Sequence, residues 1–75
     1  MAARSDSLLR LGQALSRIRT AHGLTQEQLA LASGVQRSYV GELELGKRNP
    51  SVETMLRIIV PLDISLSQWF AEAGL

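Results

Sequence analysis

The side chains best equipped for chemistry cluster in one stretch of this 75-residue chain, and they are hydrogen-bonding groups and cations rather than nucleophiles. Arg37 carries a planar fork of donors that matches O6 and N7 of guanine, and Ser38 beside it can donate or accept at several base edges. Glu42 can accept from a cytosine amino group, although a carboxylate among phosphates is repelled unless it has a specific partner. Around these lie groups suited to phosphate oxygens: Gln26, Gln36 and Tyr39 as donors, Lys47 and Arg48 as cations. Each also has a plainer reading. Arg37 can be a solvated surface arginine, Tyr39 a rim residue packed on the preceding helix, and Lys47 with Arg48 the solvation of a turn.

The elements that must hold these residues are all helical. Leu8, Leu11, Leu15 and Ile18 recur at helical spacing beside Ala14, which predicts a first helix over residues 7–22. Gly23 then supplies a left-handed stop, with Leu24 folding back as in a Schellman ending. His22 reads as a helix-end residue favoured by the macrodipole. T-Q-E-Q at 25–28 is a capping box with Thr25 as N-cap, so a second helix starts there, buries Leu29 and Ala30, and ends near Ser33 at Gly34. A third helix spans residues 36–44 with Val40 and Leu43 inward, which turns Arg37, Ser38, Gly41 and Glu42 outward. Glycine at 41 costs roughly 1 kcal/mol of helix propensity, so a close approach to DNA or to a neighbouring helix is expected there.

Gly46 and the polar loop at 47–50 separate this unit from a fourth helix capped by Ser51, which runs to residue 60 or 62. Pro61 should kink or stop that helix. S-L-S-Q at 65–68 is a second capping box, and Leu66, Trp69, Phe70 and Ala73 follow on one helical face. No strand pattern, repeat or low-complexity segment competes. The predicted fold is an all-α, five-helix bundle, one domain over residues 1–75 with its core at 8–70.

Two short helices joined by so few residues around Gly34 must cross steeply. The first can then brace a phosphate backbone while the second enters a major groove about 12 Å wide. The N–H groups at the start of the second helix, with Gln26, would form an anion site beside it.

Composition excludes several alternatives. The chain has no cysteine and one histidine, which leaves no disulfide, no thiolate nucleophile and too few ligands for a structural zinc site. Without a glycine-rich phosphate loop either, no enzyme constellation can be assembled, and neither cofactor nor metal is expected. No apolar run approaches the roughly 20 residues that span a bilayer, and Arg10 and Gly12 interrupt the N-terminal leucines, so a soluble cytoplasmic protein without a membrane partner is expected. Net charge is +1 overall, but residues 1–50 carry +3 and residues 51–75 carry −2, so the N-terminal two-thirds is the better match for a polyanion.

The stretch GLTQEQLALASGVQRSYVGELELGKRNPSVETMLRII resembles the Cro/repressor-type helix-turn-helix family, also called xenobiotic-response-element-like. Its most specific pieces are T-Q-E-Q-L-A, G-V-x-R-S-Y, L-E-x-G-K-R-x-P-S and I-S-L-S-x-W-F, and the likeness extends over residues 8–70. Chain length and the R-S-Y segment are also similar to the controller proteins of restriction–modification systems, which are small dimeric regulators. The resemblance implies a lambda-repressor-like fold with the helix-turn-helix at 25–44. It implies backbone contacts from Gln26 and Gln36, and base-reading positions at Arg37, Ser38 and Glu42. It further implies a buried ion pair between Arg19 and Glu44. Asp63 departs from the helix-ending glycine usual in relatives.

The fourth helix spreads apolar residues over roughly 200° of arc where one core face needs little more than about 100°. Leu56 and Val60 are the surplus, and with Trp69 and Leu75 they are the expected face of a homodimer built from residues 51–73 and the chain end, Trp69 alternatively lying wholly in the core. Double-stranded DNA and a second copy are therefore the expected partners of a transcriptional regulator. Contact with RNA polymerase would leave no readable signature, so activation and repression stay open. A protein-interaction module, such as an antitoxin-type partner protein, is the competing reading. Leu31 and Leu45 are exposed in this assignment and unexplained by it.

Overall fold

Each helix begins or ends where a side chain or a left-handed residue satisfies backbone groups that the helix itself leaves free. The computed structural model describes residues 3–75, with α1 at Ala3–Ala21, α2 at Gln26–Ser33, α3 at Arg37–Glu44, α4 at Val52–Leu62 and α5 at Leu66–Glu72. Both capping boxes form: Thr25 Oγ1 accepts from the Gln28 N–H at 3.0 Å while the Thr25 N–H donates to Gln28 Oε1 at 2.9 Å. Ser65 and Gln68 repeat the arrangement at 3.0 and 2.7 Å. The Leu24 N–H reaches back to the Arg19 carbonyl at 3.2 Å across Gly23, the expected Schellman ending of α1.

One boundary differs from the sequence expectation. α1 starts at Ala3 rather than at residue 7, ahead of its first apolar repeat, and Asp6 in its first turn pairs with Arg10 at 3.5 Å. α4 ends at Leu62, the later of its two expected ends and one residue past the stop expected at Pro61; Asp63 takes the left-handed conformation (φ 53°) and closes the last turn through its N–H to the Val60 carbonyl at 3.1 Å. Asp63 thus does the work of the missing glycine.

The core is one cluster to which all five helices contribute, including Leu15 of α1, Leu29 of α2, Val40 and Leu43 of α3, Ile58 and Leu62 of α4 and Trp69 of α5. Trp69 is fully buried, and its indole Nε1–H donates to the Leu11 carbonyl at 2.9 Å. Of its two expected places, this puts Trp69 in the core and takes it off the dimer face. A ring with no exposed surface and a satisfied N–H offers nothing to a partner. Arg17 ties α1 to the chain end as well, donating to the Glu72 carboxylate at 2.8 Å and to its carbonyl at 2.9 Å.

Gly12 fixes how closely α1 lies on α3. A Cβ at this position would overlap the Leu43 carbonyl oxygen and stand 2.8 Å from that of Glu44. Only a hydrogen fits between α1 and the last turn of α3. Among the described residues, no helix is long and apolar enough to cross a membrane.

Candidate nucleic-acid interface

α2 ends on Gly34, whose φ of 73° lets the Val35 N–H turn back to the Ala30 carbonyl at 3.1 Å. Only residues 34–36 then separate α2 from α3. Gln36 is the N-cap of α3 in extended conformation, and its side chain makes no capping hydrogen bond. Val40 and Leu43 are fully buried, which fixes the rotation of α3 about its axis and leaves Gln36, Arg37 and Ser38 exposed at its first turn.

The far end of α3 is anchored from behind. Arg19 of α1 meets Glu44 with Nε to Oε2 at 2.6 Å and Nη2 to Oε1 at 3.1 Å, and its Nη1 donates to the Leu24 carbonyl at 2.7 Å. Side-chain exposure is 14% for Arg19 and 6% for Glu44, so this pair is largely removed from water. Gln26 of α2 adds a third donor, Nε2 to Glu44 Oε1 at 2.9 Å. One carboxylate therefore ties together α1, α2 and α3. The Gln26 amide faces inward to Glu44, in place of the outward presentation expected of it.

Past α3, Gly46 (φ 76°) allows the Lys47 N–H to donate to the Glu42 carbonyl at 2.9 Å and the Gly46 N–H to the Leu43 carbonyl at 3.0 Å. This folds the loop back along the helix. Arg48 Nε donates to Glu42 Oε1 at 2.7 Å, and its guanidinium carbon lies 5.4 Å from the centroid of the Tyr39 ring, within cation–π range. Arg37 and Lys47 are exposed and make no ion pair among the described residues.

A helix-turn-helix family model (HTH_3) matches residues 15–69, most of the chain. The chain belongs to the helix-turn-helix family. It is similar to the restriction–modification controller protein C.AhdI from Aeromonas hydrophila, with 47% identity and a TM-score of 0.81 over 83% of this chain and 94% of that one. Control protein C.MunI from Mycoplasma sp is 33% identical over 91% of this chain and 93% of its own length. The HTH-type transcriptional regulator PuuR from Escherichia coli K12 is 35% identical over 91% of this chain, which spans only 37% of that relative's length. These relatives carry the names of regulators and control proteins rather than enzymes.

Within this helix-turn-helix, Gln36, Arg37 and Ser38 at the first turn of α3 and the loop cations Lys47 and Arg48 are all exposed, and Tyr39, under the Arg48 guanidinium, is half-buried. Glu42 is turned to Arg48. The bond from Gln26 to Glu44 and the close approach at Gly12 were missed in the sequence. The sole signal for either was a glycine in the middle of an otherwise good first helix.

Proposed function

We propose that this protein is a sequence-specific DNA-binding transcriptional regulator that reads a near-palindromic operator as a homodimer, in the manner of a restriction–modification controller protein. The observation that carries the reading is the exposed Arg37–Ser38 turn on a helix locked from behind by Arg19 and Glu44. Unpaired donors at the first turn of a rigidly held helix are what base-edge recognition requires. Lys47, Arg48, Gln36 and Tyr39 supply the phosphate contacts that set register, and α2 braces the backbone.

Dimerisation falls to α4 and the chain end. Val52, Leu56 and Val60, at i, i+4 and i+8, are 59%, 47% and 75% exposed, and Leu75 is 56% exposed. A continuous apolar stripe on one helix suits a second copy related by two-fold symmetry. Two copies would present their α3 helices to half-sites about 34 Å apart. Selection from a random duplex pool tests both parts, since half-site sequence reports on α3 and half-site spacing on the dimer. Affinity should fall by about 0.9 log units per phosphate contact for each log unit of salt.

Leu31, 77% exposed on α2, and Leu45, 62% exposed after α3, favour a second reading in which the protein docks on another protein. Failure to enrich any duplex would support that reading. Where operator binding is found, transcription with purified RNA polymerase separates activation from repression.

A further inference from the structure

We propose that Glu42 is a positioning residue for Arg48, holding its guanidinium over the Tyr39 ring so that the fork is preset for a phosphate, and that it does not read a base. This rests on the DNA-binding reading above. The base-reading assignment considers only the direction in which position 42 points on α3; the structure adds what the carboxylate holds.

Three independent constraints converge on the Arg48 side chain. The backbone comes first: Gly46 and the Lys47 N–H to Glu42 carbonyl bond return the loop toward the helix it has just left. The Tyr39 ring then lies under the guanidinium, 5.4 Å from its carbon to the ring centroid. Finally Glu42 Oε1 accepts from Nε, the inner edge of the fork, at 2.7 Å. The Arg48 hydrogen bond to Glu42 uses Nε, so the two terminal nitrogens are left for a bidentate contact with phosphate oxygens. Arg48 and Glu42 side chains are 52% and 45% exposed, so the pair adds little to fold stability. Its consequence is geometric. An arginine anchored at Nε and held over a ring has less rotamer freedom left for a phosphate contact to freeze.

The sign of the effect separates this role from the alternatives. A carboxylate that merely sits near phosphates repels them, so deleting it should tighten binding to every duplex. A carboxylate reading cytosine should, when deleted, relax preference at one base pair. A positioning carboxylate should, when deleted, weaken binding to all duplexes alike and leave the base preference unchanged.

The test measures affinity for selected and mismatched duplexes over a salt series, with the wild type, Glu42→Ala, Glu42→Gln, Arg48→Ala and the Glu42→Ala/Arg48→Ala double variant. Glu42→Ala is expected to weaken binding about three- to fivefold on every sequence, the upper part of the range of a surface ion pair. Glu42→Gln keeps an oxygen for Nε and should recover part of the loss. Arg48→Ala should lower the salt slope by about 0.9 per half-site, and Glu42→Ala should cause no further weakening in that background. Tighter binding by Glu42→Ala, a change confined to one base position, or an undiminished effect in the Arg48→Ala background would each overturn the proposal. A wild type that binds no duplex would overturn the DNA-binding reading itself.

Discussion

Arg19 and Glu44 meet through a two-pronged ion pair, 2.6 and 3.1 Å, that joins the end of α1 to the end of the exposed helix α3. Burial makes the pair consequential, because a lone charge left in its place cannot recover full hydration. Gln26 and the Leu24 carbonyl complete the hydrogen bonding, so the network is satisfied on both sides. Glu44→Ala would leave Arg19 facing a void with only Leu24 as acceptor. The expected loss is about 3–5 kcal/mol, enough to unfold a domain of this size or lower its Tm by well over 10 °C. Thermal unfolding followed by circular dichroism checks this, and an unchanged Tm would remove the pair from any structural role.

Gly12 sets the second constraint on α3. A methyl group there overlaps the Leu43 carbonyl, a backbone atom that cannot rotate aside. In an ordinary helix interior, glycine to alanine stabilises by up to about 1 kcal/mol. Here the sign should reverse, with Gly12→Ala destabilising by at least about 1–3 kcal/mol as in other overpacked sites. Urea unfolding gives the comparison directly, and a stabilised variant would show that α1 does not lie this close to α3.

What the sequence made legible was whatever depends on neighbours a few residues apart. The capping boxes at Thr25 and Ser65 each link residues three positions apart, and the inward face of α3 follows from Val40 and Leu43 alone. Periodicity also placed Trp69 on an apolar face, but it cannot say whether that face meets the core or another chain. The deciding partner, the Leu11 carbonyl, is 58 residues away. Glu42 was hidden for a different reason. Its link to Arg48 depends on Gly46 turning the loop back along α3, and helical periodicity stops at that glycine. Gln26 was read by its place at the start of α2, where a side chain is ordinarily outward. The attraction of the buried Glu44 carboxylate turns it inward.

The contrast between Trp69 and the α4 stripe gives a paired prediction. Trp69→Phe should cost about 1–3 kcal/mol, since it removes the indole hydrogen bond to the Leu11 carbonyl and leaves a void at a fully buried site, and should not change self-association. Leu56→Asp with Val60→Asp should do the reverse, removing the dimer while changing monomer stability by less than about 1 kcal/mol. Sedimentation velocity at micromolar concentration, run beside thermal unfolding, reads both. Dimers that persist in the aspartate variant would move the interface off α4.

Arg37 and Lys47 are both exposed cations near α3, and the proposed reading gives them different tasks. Arg37 stands on the first turn of the helix, where a bidentate contact to guanine discriminates between base pairs. Lys47 stands in the loop beyond Gly46, with a point charge that any phosphate can satisfy. Arg37→Ala should therefore cost about 1–3 kcal/mol on the preferred operator and relax selection at one position of each half-site. Lys47→Ala should weaken all duplexes by a similar factor and lower the salt slope by about 0.9 per half-site. Affinities for the preferred duplex and a set of single-base variants, each over a salt series, separate the two. The magnitude of the loss cannot do this, because both substitutions remove one positive charge; only the dependence on sequence can. An Arg37→Ala protein that weakens every duplex equally would assign Arg37 to the phosphates and leave Ser38 as the candidate base reader on that turn.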